Sequence, residues 1–202
     1  MASKDSSDIL MKVVRHGTTL MAEASTVFAP DQNNTAIGSG FEPGRFFEVT
    51  DFSFNLGASA SEARKLSKQE IEEYTKKYGA PPPASQPAQS TESKVVDIQP
   101  VTFSRQMDIA STVMFLAMTT AETLDSISII KRKGAGSPNS GEIYLRIDFT
   151  KALLIGMDWE DDDQFVQEKW KFICRKVDMR YRSQKSDGTL GPVISGSWSM
   201  IA

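Results

Sequence analysis

The chain has 202 residues, 40% of them apolar and 24% charged, with a formal net charge of −3. That length buries a full core without disulfides or metal, and the mild acidity argues against a nucleic-acid partner. The one cysteine, Cys174, excludes an intrachain disulfide, and with a lone histidine, His16, it excludes zinc sites built from those ligands.

The N-terminal MASKDSSDILMKVVRHGTTL has early acidic residues and no unbroken apolar run, so it does not read as a secretory signal peptide. No stretch approaches the roughly 18–20 apolar residues of a membrane-spanning helix. Any export is therefore expected to be signal-independent. The first strand places Ile9, Met11 and Val13 on one face, and a long connection follows over residues 29–44. In RFFEVTDFSFNL, Phe47 and Val49 share one parity while Phe52, Phe54 and Leu56 share the other. A bulge or bend near Thr50–Asp51 is expected.

Residues 57–99 read as an insertion. SKQEIEEYTKKY opens with a capping box, Ser67 and Glu70, and carries Ile71, Tyr74 and Tyr78 at helical spacing. It runs into the Pro/Ala/Ser/Gln linker APPPASQPAQSTESK, which cannot build a core. A second helix, DIASTVMFLAMTT, has Asp108 as N-cap, and Ile109, Val113, Leu116 and Ala117 as its expected packing face.

The remainder reads as strands. Lys131, Arg132 and Lys133 end one strand as a short basic cluster, and a Gly/Ser/Pro/Asn loop leads to EIYLRIDF. There Ile143, Leu145, Ile147 and Phe149 face one way; Glu142, Arg146 and Asp148 face the other, toward a lumen or outer wall. KWKFICRKVDMRYR repeats the switch of parity, with Trp170, Phe172 and Cys174 first and Val177, Met179 and Tyr181 after. A turn-rich segment, Arg182 to Pro192, then precedes a strand aligning Ile194, Trp198 and Met200. Long strands that change face partway imply bent sheets. The expected fold is mainly β: one domain over 1–202, a closed or nearly closed barrel with one flanking helix, plus the helix-containing insertion.

The chemical candidates are few. His16 sits at a strand-to-turn junction, and Cys174 lies on an apolar parity where its thiolate is disfavoured, so no catalytic dyad is expected. Asp158, Glu160, Asp161, Asp162 and Asp163 are crowded together but lack the spacing and glycine of a calcium loop. They are expected to form a polar connection between strands 142–155 and 167–182. No catalytic, cofactor-binding or metal-ligating residue is assigned.

The ordered series DILMKV, VTDFSFNL, VTFSRQMDIASTVMFLAM, EIYLRIDF and EKWKFICRKVDMRYRSQKSDGTLGP resembles the haemolysin-coregulated protein (Hcp) family of bacterial type VI secretion systems. The resemblance covers residues 6–56 and 100–202. It implies a homohexameric ring that stacks into a hollow tube, fired by a contractile sheath, tipped by a spike, and able to carry small effectors. It implies assembly in the bacterial cytoplasm followed by secretion. The 57–99 insertion is longer than the corresponding family loop, and its Leu66, Ile71, Tyr74 and Tyr78 are the expected oligomer or stacking contacts. The chain ends at Ala202, with no appended toxin expected. The alternatives are a tail-tube protein of a related phage-like contractile injection system, and a small-ligand-binding barrel.

Overall fold

The computed structural model describes residues 9–24, 35–60, 76, 94–133, 142–162, 164–184 and 190–200. In chain order the elements are β1 (Ile9–Arg15), β2 (Thr18–Thr19), α1 (Thr35–Gly38), β3 (Phe47–Glu48), β4 (Asp51–Ser53), β5 (Leu56–Ala60), β6 (Lys94–Ile98) and β7 (Val101–Gln106). They continue with α2 (Ile109–Thr119), β8 (Thr123–Lys133), β9 (Glu142–Asp162), β10 (Phe165–Ile173), β11 (Lys176–Gln184) and β12 (Leu190–Ser199). The chain divides into two compact units, Met1–Phe54 with Pro100–Ala202, and Asn55–Gln99.

In the larger unit the strands form a ten-stranded antiparallel sheet. Hydrogen bonding passes from β1 through β8, β9, β10 and β7 to β4. Residues 47–53 then carry it back to β1. β3 pairs with β1 opposite Leu10 and Met11, and β4 pairs with β7 opposite Ser104, Phe103 and Thr102. The change of partner takes one peptide step: the Val49 amide donates to the Ile9 carbonyl at 3.0 Å and the Thr50 amide to the Ser104 carbonyl at 2.8 Å. This is the bend predicted near Thr50–Asp51, and it makes the barrel nearly closed.

The second device is β9, 21 residues long. One edge pairs with β8 as far as Leu153. Along the other edge, 145–150 face β11 and 153–162 face β10, apart from a bulge at Ile155. Lys151, with φ 53°, sits where the partner changes, its left-handed backbone turning the strand. The parity switch between Cys174 and Val177 is the same corner seen from the neighbouring strand, since β10 ends at Ile173 and β11 begins at Lys176. Phenyl rings fill the interior in contact sequence: Phe47–Phe103, Phe103–Phe172, Phe172–Phe149 and Phe149–Phe54, with centroids 5.1–6.4 Å apart.

Four expectations need correcting. Arg146 is not on an open wall but buried. It donates to the carbonyls of Ile37 and Ser39 at 2.9 and 2.8 Å and to Asp148 at 2.8 Å, holding residues 37–39 against that face. Ile143 does not stay with Leu145 and Ile147. A bulge opposite Lys131–Arg132 turns it into the cluster of Leu10, Ile37, Phe41, Phe46 and Ile130. The acidic run is strand as far as Asp162: Asp158 to Asp162 pair with β10, and the chain reverses between Asp162 and Phe165.

The fourth correction concerns α2. Asp108 does cap it, accepting from the Ala110 amide at 2.8 Å while Ser111 Oγ accepts from the Asp108 amide at 3.0 Å. The packed face, however, is Ala110, Ser111, Met114 and Ala117. Ile109 and Leu116 are exposed. Small side chains let the helix approach the sheet closely, and Ser111 must face a buried polar group.

In the smaller unit β5 and β6 form an antiparallel ribbon, Leu56 opposite Ile98 through Ala60 opposite Lys94. The sequence did not announce that pairing. Leu66, Ile71, Tyr74 and Tyr78 lie outside the described residues.

Candidate functional site

The residues of possible chemistry are kept apart. His16 and Gly17, with φ of 49° and 71°, form the two-residue turn between β1 and β2, the geometry of a type I′ hairpin. His16 is exposed there, its Nε2 2.8 Å from Glu122 Oε1. Arg15 grips the same carboxylate in bidentate fashion at 2.8 and 2.6 Å, which holds the Glu122 carboxyl below its ordinary range. Asp125 is also held low, first by the Gly17 amide at 2.8 Å and then by Lys151. Cys174 is buried, and desolvation pushes its thiol up to about 11. Among the described residues no group of three His, Cys, Asp or Glu is placed to hold a metal ion. Asp158 is engaged by Lys171 at 3.3 Å.

A buried polar network joins the helix to the barrel. Arg105 on β7 and Glu168 on β10 are direct cross-strand neighbours, and both are fully buried, 3.1 Å apart. Arg105 also donates to Asp108 Oδ1 at 2.7 Å and Ser111 Oγ at 2.6 Å, and its guanidinium lies 4.2 Å from the Phe47 ring. Glu168 accepts from Ser111 Oγ at 2.9 Å, Trp170 Nε1 at 3.1 Å and Trp159 Nε1 at 3.2 Å. The sequence reading missed this network, although it carries a signal. Arg105 shares parity with Val101 and Phe103, and Glu168 with Trp170 and Phe172. A charge on an apolar parity calls for an opposite charge on the neighbouring strand. The network fixes α2 by its first turn, where the N-cap, the helix and two strands meet.

Part of what the framework presents outward is apolar. The face that looks into the barrel on β9 continues across β11 and β12 in cross-strand rows. These are Phe149–Val177–Trp198, Ile147–Met179–Gly196 and Leu145–Tyr181–Ile194. Beyond the barrel that face is uncovered: Met179, Tyr181 and Ile194 are exposed. β12 pairs only with β11 among the described strands. On α2 the outward side chains are Ile109, Leu116 and Phe115, the last stacked on Trp159 at 6.1 Å. Surfaces of this kind suit another protein rather than a small substrate.

The profile of the family described as "Type VI secretion system effector, Hcp" matches residues 46–182. A search of curated proteins finds no match. Among solved structures, one described as a type six secretion system protein superposes with TM-score 0.62, 14% identity, and coverage of 95% of this chain and 94% of its own. Hcp1 from E. coli EAEC 042 gives TM-score 0.58 at 14% identity, covering 95% and 97%. A type VI secretion system effector from Yersinia pestis gives 0.55 at 14% identity, covering 95% and 99%. At such identities these structures establish the fold; the profile match, spanning more than half the sequence, establishes the family. The chain is a member of the Hcp family of type VI secretion proteins.

Proposed function

We propose that this chain is the subunit of the type VI inner tube, closing into hexameric rings that stack into a hollow conduit able to carry effectors. The observation that carries this reading is the apolar sheet face that runs past the barrel onto β11 and β12 without a cover. Identical chains that dock head to tail close into rings when the rotation permits, and a ring that survives firing buries well over about 1,000 Å² per interface. Phenyl rings in mutual contact inside the barrel support this over a ligand-binding barrel, which needs an apolar void. The family's contractile sheath and spike are its further partners, and assembly in the bacterial cytoplasm precedes signal-independent secretion. No catalysis is assigned to the chain.

Negative-stain images of the purified protein should contain rings, and light scattering should give a mass several times 22.3 kDa. A monomer throughout the micromolar range refutes the proposal. The 57–99 segment is proposed to act in ring stacking through Leu66, Ile71, Tyr74 and Tyr78. Deleting 61–93 should leave single rings intact and shorten stacks, and tubes of undiminished length would refute that role.

A further inference from the structure

Two elements of the larger unit are exposed yet carry no charged residue. They are α2, IASTVMFLAMT, and β12, LGPVISGSWS, in a protein of which 24% is charged. A helix with one solvated side normally places charges there. Instead α2 turns Ile109 and Leu116 outward, 44% and 51% exposed. The sheet face on β11 and β12 turns Met179, Tyr181 and Ile194 outward, 46%, 42% and 64% exposed. The charged residues of β11, Lys176, Asp178, Arg180 and Arg182, have the opposite parity and leave this face clear.

The shapes correspond as well. Gly196 stands opposite Met179, and a Cβ placed on it would meet nothing within 4 Å, so the face has a notch on its outer strand, level with Met179. The helix can lie against β11 and β12, where the face is exposed, with a side chain in the notch.

From these observations we infer that the outer stripe of α2 in one copy packs on the β11–β12 face of the next, with Leu116 directed at the surface between Met179 and Ile194. The occupant is a second copy because the two faces are different, uncharged and presented by the same chain. Each copy supplies one helix and one sheet face, so the contact is heterologous and propagates around a ring rather than ending at a two-fold dimer. The inference rests on the ring reading and names the surfaces that make it.

Disulfide trapping tests it. The only native thiol, Cys174, is buried, so introduced cysteines report alone. Leu116→Cys and Ile194→Cys are made separately and together, oxidised under mild conditions, run on non-reducing gels, and imaged in parallel. The mixed single variants should give a covalent dimer absent from either alone, and the double variant a ladder of covalent oligomers. Rings without these crosslinks, tried also with Ile109→Cys and Tyr181→Cys, overturn the assignment and leave the ring reading standing. A crosslink in either single variant alone indicates a two-fold contact and overturns it too. Absence of both rings and crosslinks removes the inference and the ring reading together. As a check that needs no thiol, Leu116→Lys should raise the concentration required for assembly at least about tenfold, and an unchanged threshold counts against the contact.

Discussion

Replacing Glu168 by alanine removes the acceptor at the centre of the buried network. Arg105 keeps Asp108 Oδ1 at 2.7 Å and the Phe47 ring but loses its fully buried carboxylate. Removing one partner of a buried pair costs about 3–5 kcal/mol. The buried Trp170 indole also loses its acceptor at 3.1 Å, and a stranded donor costs about 1–3 kcal/mol. The surviving contact to Asp108 offsets part of this, so we expect a loss of about 4 kcal/mol, a large share of the roughly 5–15 kcal/mol of a typical domain. For a chain of this length the melting temperature should fall by about 8–16 °C. Denaturant unfolding followed by tryptophan fluorescence is the assay, since Trp159 and Trp170 both donate to Glu168. The double replacement Arg105→Met with Glu168→Leu should recover part of the loss, because the guanidinium is no longer buried without its carboxylate, while Asp108 keeps the Ala110 amide as a donor. A loss below about 1 kcal/mol at an unchanged denaturant slope, or a double variant weaker than the single one, would refute the reasoning.

Three further outcomes follow from local geometry. Ala121 closes the C-terminus of α2 at φ 52°, with the Glu122 amide donating back to the Ala117 carbonyl at 2.8 Å. Ala121→Gly should therefore raise stability by about 1 kcal/mol, read as a melting shift of about 2–4 °C, and a lower melting point would contradict it. Arg15 depresses the Glu122 carboxyl below its ordinary value of 4.5, so the pair's contribution is full above that pH and is lost as pH falls through the folded value. Arg15→Met should flatten the loss of stability below pH 4.5, and an unaltered acid limb would show that the pair is not responsible. With its thiol pushed up to about 11, Cys174 should be alkylated at pH 8 at least about 100-fold more slowly in the native protein than in urea. Equal rates would place it at the surface.

Much of the fold was legible along the chain because strand periodicity and cap chemistry are local. The parity switches in RFFEVTDFSFNL and KWKFICRKVDMRYR mark the two corners where strands change partner, at Val49–Thr50 and between Ile173 and Lys176. A side-chain period of two cannot change phase without a bend, so the sequence alone reveals each corner. Asp108 as the helix cap and Cys174 as an inert core thiol were readable for the same reason, since each depends on residues within a few positions.

Other features depend on contacts across long sequence separations, which no local pattern encodes. Only the folded chain decides that Ala110, Met114 and Ala117, rather than the bulkier Ile109 and Leu116, lie against the barrel. The helix azimuth is set by Ser111 reaching Glu168, 57 residues away. Arg146 reads as a solvated strand residue until carbonyls 107 and 109 positions earlier fold over it. By itself the sequence determined a bent, mainly β framework with a capped helix, because those are consequences of backbone geometry. The tertiary structure decided which apolar side chains remain outside, because burial is a competition among distant segments for one interior, and the losers form the exposed apolar surface.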